Sequence, residues 1–419
     1  MPFFGEAAES QIRNISVSLV KKVPNLRFSG YEGSWNKVAL CEVANIIGGG
    51  TPDTSNPLYW NGDIDWFTPT EVGESKYVNE SKRKITYAGL KSSSAKLLPR
   101  GSILLSTRAS VGLASITTNP QGVTTNQGFQ SVVPKRVEDS EFLYYVISNQ
   151  NTQRELKTKA NGSTFPEISN SKVSSIIVSL PPDPKERFEI SRFLATIDER
   201  IRLQNKIIEE KKREIIVLND ELYSHAIKTI HGFADIADNY SGLSGKNSED
   251  FGKGASYITY LNVLNNRYID KSSCGYVTIH KNEKQNTVLY GDVILTLSSE
   301  TPEEVGVSSV YLGNDTLYLN SFCFGIRFKT EETVLPEYAT WLFSTTAFRK
   351  HIYPFAQGST RYNLNLGSFM KSSFAFPSVD DQRRFAGLLN RLEESTKLEI
   401  KMLDELKLAK SFLLQQLFI

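Results

Sequence analysis

The sequence predicts an α+β protein. It comprises two tandem mixed α/β domains, each followed by a long helix, with the two helices paired as an antiparallel coiled coil about a pseudo-twofold axis. Three observations carry this prediction. First, the chain repeats itself at an offset of about 190 residues: Gly101-Ser102-Ile103-Leu104-Leu105-Ser106 returns as Gly291-Asp292-Val293-Ile294-Leu295-Thr296. Second, each copy closes on a proline followed by a long apolar stripe at helical spacing. Third, the residues before each stripe form short apolar runs punctuated by Gly, Pro, Asn and Ser, the texture of strands and turns.

The repeat is carried by more than one segment. Ser110-Val111-Gly112-Leu113-Ala114-Ser115 is echoed by Glu304-Val305-Gly306-Val307-Ser308-Ser309, and Gly162-Ser163-Thr164 by Gly358-Ser359-Thr360. The offset grows smoothly to about 196, as duplication followed by drift in loop length requires.

Residues 1–34 read as a loosely structured lead-in. From 35 to 182 strands are expected at Ile103-Leu104-Leu105, Gly112 to Ile116 and Ser131-Val132-Val133, with a helix from Ser140 to Lys159. Residues 183–230 form the first long helix. Leu194, Ile201, Ile208, Ile215 and Leu222 recur every seventh residue, with Ile190, Ile197 and Leu218 between them. Gln204, Lys211 and His225 interrupt the second row, so the partner surface must tolerate polar groups. A proline suits the helix entry, and His231-Gly232 its end.

The second copy, 231–377, repeats the strand texture at Ser256 to Tyr260, Val288 to Leu297, Val307 to Tyr311 and Ser321 to Phe328, with a helix from Pro336 to Ile352. Residues 378–419 form the second long helix, with a stripe that includes Leu389, Leu392, Leu403, Leu406 and Leu413. An apolar stripe on a helix of roughly 60 Å needs a partner. The economical one is the other long helix of the same chain.

Composition bounds the function. At 419 residues, with 40% hydrophobic and 22% charged content, the chain suits two or more globular domains. No secretory signal or membrane span is evident, and Cys41, Cys274 and Cys323 form no C-x-x-C pair, which points to a cytoplasmic protein without disulfides or zinc. His225, His231, His280 and His351 have no ligand spacing, so no metal site is expected. The formal charge of +2 hides a basic stretch, Lys76 to Arg108, that can line a polyanion.

The order of short motifs resembles the specificity subunits of type I restriction–modification systems. Pro24-Asn25-Leu26-Arg27-Phe28 with Trp35, Gly49-Gly50-Thr51-Pro52, Tyr59-Trp60-Asn61-Gly62-Asp63-Ile64, Thr125-Asn126-Gln127-Gly128-Phe129 and Gly162-Ser163-Thr164-Phe165 carry the likeness in the first copy. Tyr290-Gly291-Asp292-Val293, Leu319-Asn320-Ser321-Phe322 and Gln357-Gly358-Ser359-Thr360-Arg361-Tyr362-Asn363 carry it in the second. The sequence departs from the family pattern at Glu186-Arg187, Asp381-Gln382, Asn170 and Asn365. The resemblance implies two target-recognition domains on spacer helices. It also implies a non-catalytic chain that bridges two methyltransferase (M) subunits, recruits two restriction-translocase (R) subunits and reads a bipartite, non-palindromic site in double-stranded DNA. S-adenosylmethionine, ATP and Mg²⁺ would then belong to the partners, with no cofactor here.

Reading DNA needs cations for phosphates and amide, hydroxyl or guanidinium groups for base edges. In the first domain Lys84, Lys96 and Arg108 are the candidate phosphate or guanine contacts, and Ser92, Ser94, Asn126 and Gln127 the candidate base readers. In the second domain the candidates are Lys246, Arg267, Ser298, Ser299, Arg361 and Asn363. Each of them could equally be a turn former or a satisfied surface polar group.

Three enzyme-like motifs are incomplete. Asn56-Pro57-Leu58-Tyr59 lacks the second proline of an adenine-methyltransferase loop, and Pro52-Asp53 with Glu74-Ser75-Lys76 is a loose nuclease pattern. Gly245-Lys246 lacks the first glycine and the hydroxyl of a P-loop. A stand-alone methyltransferase or nuclease, and a coiled-coil scaffold unrelated to DNA, are the alternatives.

Overall fold

The computed structural model describes residues 23–161 and 166–419. Most of the lead-in and the Gly162-Ser163-Thr164-Phe165 motif lie outside them. The chain divides into two compact units, Met1–Leu203 with Met402–Ile419, and Gln204–Lys401.

In the first unit a five-stranded sheet runs in the order Ala44–Gly48, Gln130–Pro134, Ile103–Leu105, Ala114–Thr117, Tyr77–Val78, antiparallel except for the last pair. A smaller sheet carries Trp60–Phe67 between Lys84–Ile85 and Thr124–Thr125. In the second unit the large sheet is Ala237–Ser241, Cys323–Phe328, Val293–Thr296, Ser308–Val310, and Phe251–Ile258 lies between Gly275–Val277 and Tyr318–Leu319 in the small one. The duplication in sequence is therefore a duplication in strand order.

Each expected mid-domain helix is broken once. Ser140–Ser148 and Gln150–Lys159 meet at Asn149, whose backbone is extended and whose side chain accepts from Thr152 N. Pro336–Ser344 and Thr346–Ile352 meet in the same way at Thr345, which accepts from Phe348 N. A side chain that caps the following turn ends the preceding one, and both residues are good N-caps.

The long helices span Pro184–His225 and Val379–Leu417. The first does not continue to His231-Gly232. Lys228 Nζ donates to the carbonyls of Tyr223, Ser224 and Ala226 at 2.8, 3.0 and 2.8 Å, satisfying the helix end. Lys228–Gly232 is then free to pair as a strand with Ser373–Pro377. Asn36–Ala39 pairs with Ile177–Leu180 at the equivalent place in the first unit.

Within each unit the helix segments run antiparallel. In the first, Leu194 is buried in one core with Leu413 and Leu417, and Asp198 meets Lys410 at 2.5 Å. In the second, Gln204 and Lys211 meet Glu399, while Ile215, Leu218 and Leu222 pack near Phe385, Leu389 and Leu392. Leu194, Ile208, Ile215, Leu389 and Leu403 are buried, and Ile197, Ile201, Leu218, Leu222, Leu392, Leu406 and Leu413 are partly buried. Each fully buried Leu contributes about 1.5–3 kcal/mol. Phe188, Ile216, Leu398, Leu408 and Phe412 stand on the exposed faces.

Candidate nucleic-acid interface

In the first unit the loop at Gly49-Gly50-Thr51 threads between two backbones. A Cβ on Gly49 would lie 1.9 Å from the Asn126 carbonyl, and one on Gly50 would lie 2.3 Å from Ala95 N, so neither position accepts a side chain. Gly50 N donates to Thr125 O at 2.9 Å, and the Trp66 indole donates to Gly50 O at 2.9 Å. This threading gathers three of the predicted residues. Ser94 Oγ donates to Gly49 O at 3.5 Å, the Thr51 hydroxyl donates to the Gln127 carboxamide, and Asn126 Oδ1 accepts from Gly128 N at 2.8 Å.

Arg108 joins them because Thr107 N donates to Gly128 O at 2.8 Å. Its Nη2 contacts both Glu167 oxygens at 2.8 Å, with both side chains about half exposed. Ser92 lies apart, its hydroxyl donating to Gly89 O at 3.0 Å near the end of Tyr87–Ser92.

The basic stretch divides in two. Lys96, Lys82 and Arg100 are exposed, as are Lys91 over the Tyr87 ring at 4.7 Å and Arg83 over the Trp60 ring at 3.8 Å. Lys84 instead stands 3.6 Å from the buried Asp65 carboxylate and 3.3 Å from Glu80, and Asp65 holds its ammonium above the usual lysine range. Its charge offsets a buried carboxylate. Lys76 is buried in a network described below.

In the second unit Ser298 pairs with Asn363 and Ser299 with Tyr362, while Asn363 also pairs with Gln357 across a hairpin whose exposed tip is Gly358 to Arg361. Arg361 Nε donates to Ser298 Oγ at 2.9 Å, and its guanidinium lies 4.7 Å over the Phe322 ring. Ser299 Oγ donates to Glu304. Ser298, Ser299, Arg361 and Asn363 therefore form one cluster.

Lys246 and Arg267 do not join it. Lys246 Nζ is 3% exposed and donates to Glu283 at 2.5 Å and to Thr278 O at 2.6 Å. Arg267 donates to Glu393 at 3.0 Å and lies 3.5 Å over Trp341, and burial holds its pKa down. Each is committed to an internal carboxylate, so neither is a free cation for phosphate.

Two groups, one in each unit, are not among the sequence candidates. Phe322 is a 47% exposed aromatic platform, and Glu167 is the partner of Arg108. The structure shows where each stands in the repeat. Leu297 N donates to Phe322 O as Thr107 N does to Gly128 O, and the Arg108–Glu167 bridge corresponds to the Ser298–Asn363 pair.

A family model described as the type I restriction modification DNA specificity domain matches the chain twice, over 32–213 and 227–408. The chain belongs to this family. The specificity subunit of the type I restriction enzyme MjaIX from Methanocaldococcus jannaschii is 30% identical over 300 residues, 66% of this chain and 69% of that relative. The HindI specificity subunit from Haemophilus influenzae is 28% identical over 181 residues, 43% of this chain and 39% of that relative, so this match spans well under half of the HindI subunit. A chain from a solved structure concerned with complex assembly and conformational transition of the type I R-M system shares the fold. Its TM-score is 0.59 at 16% identity, covering 91% of this chain and 96% of that one. Among the described residues no helix is long and apolar enough to cross a membrane.

Proposed function

We propose that this chain is the DNA-specificity subunit of a type I restriction–modification complex and does no chemistry itself. In this reading 35–182 and 231–377 are recognition domains, each addressing one half of a bipartite, non-palindromic target in double-stranded DNA. Pro184–His225 and Val379–Leu417, within the segments 183–230 and 378–419, are spacer helices that dock two methyltransferase subunits, and two restriction-translocase subunits join them. S-adenosylmethionine, ATP and Mg²⁺ serve those partners, and the complex works in the cytoplasm.

One observation carries the reading. The loops around Gly49 and Gly242 repeat the same backbone, with the Gly49 and Gly242 Cβ positions 1.9 and 2.0 Å from the carbonyls of Asn126 and Asn320, yet the side chains they present differ. Arg108 with Glu167 in one unit stands where Ser298 with Asn363 stands in the other. A scaffold kept constant under unlike polar groups suits two different base sequences. Ser94, Lys96, Arg108, Asn126 and Gln127 are the contacts proposed for the first half, and Ser298, Ser299, Arg361 and Asn363 for the second.

The test is to map methylated adenines in cells that express the methyltransferase partner with and without this chain. Methylation at one bipartite motif, present only with the chain, is the expected result. Sequence-specific methylation in its absence would overturn the reading.

A further inference from the structure

We propose that Lys76 and Arg267 are a repeated pair of positioning residues. Each pins its recognition domain at a set angle to its own stretch of long helix and thereby sets where that domain meets its half of the DNA. The part concerning DNA rests on the function proposed above; the pin itself rests on geometry.

The two residues occupy one position of the repeat. Ile116 N donates to Lys76 O at 2.7 Å, and Val310 N donates to Arg267 O at 3.1 Å. The tyrosines that follow, Tyr77 and Tyr268, lie parallel to Ile116 and Val310. Each cation meets an aromatic side chain of its unit's mid-domain helix, Lys76 at the Tyr145 hydroxyl and Arg267 on the face of Trp341. Lys76 Nζ is 4.5 Å from the centre of the Tyr145 ring, and the Arg267 guanidinium is 3.5 Å from that of Trp341. Each also approaches a carboxylate on a long helix: Lys76, whose closest ion pair is with Glu141 of Ser140–Ser148, lies 3.7 Å from Asp198, and Arg267 reaches Glu393 at 3.0 Å. Asp198 and Glu393 each follow a fully buried leucine, Leu194 and Leu389, by one helical turn.

All three residues differ between the copies, Lys for Arg, Tyr for Trp and Asp for Glu, yet the order cation, aromatic side chain, carboxylate is kept. Simple core packing does not require that, since apolar residues of similar volume fill such a space at least as well. A buried pair differs from apolar packing in having one favourable geometry. Apolar contact is non-directional, whereas displacing a largely buried ion pair by an ångström or two weakens charge-assisted hydrogen bonds that have set directions. The surroundings reinforce the pin. The Tyr145 hydroxyl donates to Asp198 at 2.5 Å and accepts from Lys76 at 2.8 Å, and Lys410 holds the other Asp198 oxygen at 2.5 Å. Arg267 also donates to Thr340 O and Ser344 Oγ, and Asn390 accepts from the Trp341 indole and the Tyr268 hydroxyl at 2.7 and 2.9 Å.

The test uses the full chain with its methyltransferase partner and a DNA library in which the two half-sites are separated by varied numbers of unread base pairs. The unaltered protein is expected to methylate one spacing. Lys76→Met and Arg267→Met should keep both half-site sequences but accept adjacent spacings, with discrimination falling about tenfold. Arg267→Lys should restore most of it. Variants that melt like the parent and keep the single spacing would overturn the proposal, as would variants that lose a half-site sequence instead.

A second measurement does not involve DNA. Spin labels at positions 253 and 397, both exposed and both in the second unit, are placed in a Cys41→Ser, Cys274→Ser background, with Cys323 buried. Their distance distribution should broaden in Arg267→Met and narrow again in Arg267→Lys, and an unchanged distribution would overturn the pin. If Arg267→Met does not fold, Glu393→Gln serves in its place. Failure of the parent to methylate any spacing would count against the proposed function alone.

Discussion

Gln204 donates twice to Glu399, to its backbone carbonyl at 3.1 Å and to its carboxylate at 2.6 Å. Lys211 holds the other carboxylate oxygen at 2.7 Å and also reaches Ser395 Oγ at 2.9 Å. Two of the three polar residues that interrupt the heptad stripe of the first long helix are thus met by one acidic residue of the second. An apolar seam alone can slip by a turn, whereas polar groups within the seam fix its register.

Those contacts hold the Glu399 carboxylate below the usual carboxylate range, Lys211 first and Gln204 second. A depressed folded-state pKa gives stability that is present above about pH 4.3 and lost as pH falls through the folded value. Thermal melting in pH steps between about 5 and 3 should therefore show a shallower acid decline for Glu399→Gln than for the parent. Equal slopes would mean that the carboxylate contributes nothing to folding.

Two leucines of the second long helix should separate stability from assembly. Leu389 is fully buried and Leu398 is 68% exposed. Leu389→Ala should cost about 2–5 kcal/mol in denaturant unfolding. Leu398→Ala should stay within about 0.5 kcal/mol of the parent while reducing co-purification with the methyltransferase partner. The reverse pattern would place the docking face elsewhere.

Arg361 and Lys96 should fail differently. Arg361, held between Ser298 and Phe322, is preorganised to meet a base, and Arg361→Ala should weaken binding to the specific site by about 1–3 kcal/mol. Lys96→Ala should weaken binding to every sequence alike and lower the salt slope by about one. Lys84→Ala is a poorer probe, because it also leaves the buried Asp65 without its cation. Fluorescence anisotropy on specific and scrambled duplexes across salt concentrations distinguishes the three.

The repeat and the helical stripes made the architecture legible because both are periodic patterns that span many residues. The breaks at Asn149 and Thr345 were less visible, since one capping side chain ends a helix whose pattern otherwise continues. Site residues were legible as a neighbourhood more than as individuals. Ser298, Ser299, Arg361 and Asn363 do converge, but Lys246, Arg267 and Lys84 are held by Glu283, Glu393 and Asp65. No local pattern announces partners as distant in sequence as Glu283 and Glu393 are from Lys246 and Arg267.

The first long helix contributes 184–203 to one unit and 204–225 to the other, and in the proposed reading its length sets the gap between half-sites. Four residues added after Glu210, matched by four after Thr396, lengthen each helix by about 6 Å and rotate it by only about 40°. The Gln204–Glu399 and Lys211–Ser395 contacts are kept on their own sides of the insertions, and the Lys211–Glu399 ion pair is given up. The methylated motif should gain one or two unread base pairs. An unchanged gap in an active protein would mean that the partners set the distance.

The most direct test of the proposal that the two halves read DNA separately is to replace residues 35–182 with the corresponding segment of a relative of different specificity and map methylated adenines genome-wide. One half of the motif should change to the relative's, while the other half and the gap between them stay as they were. A motif altered in both halves, or in neither, would contradict it.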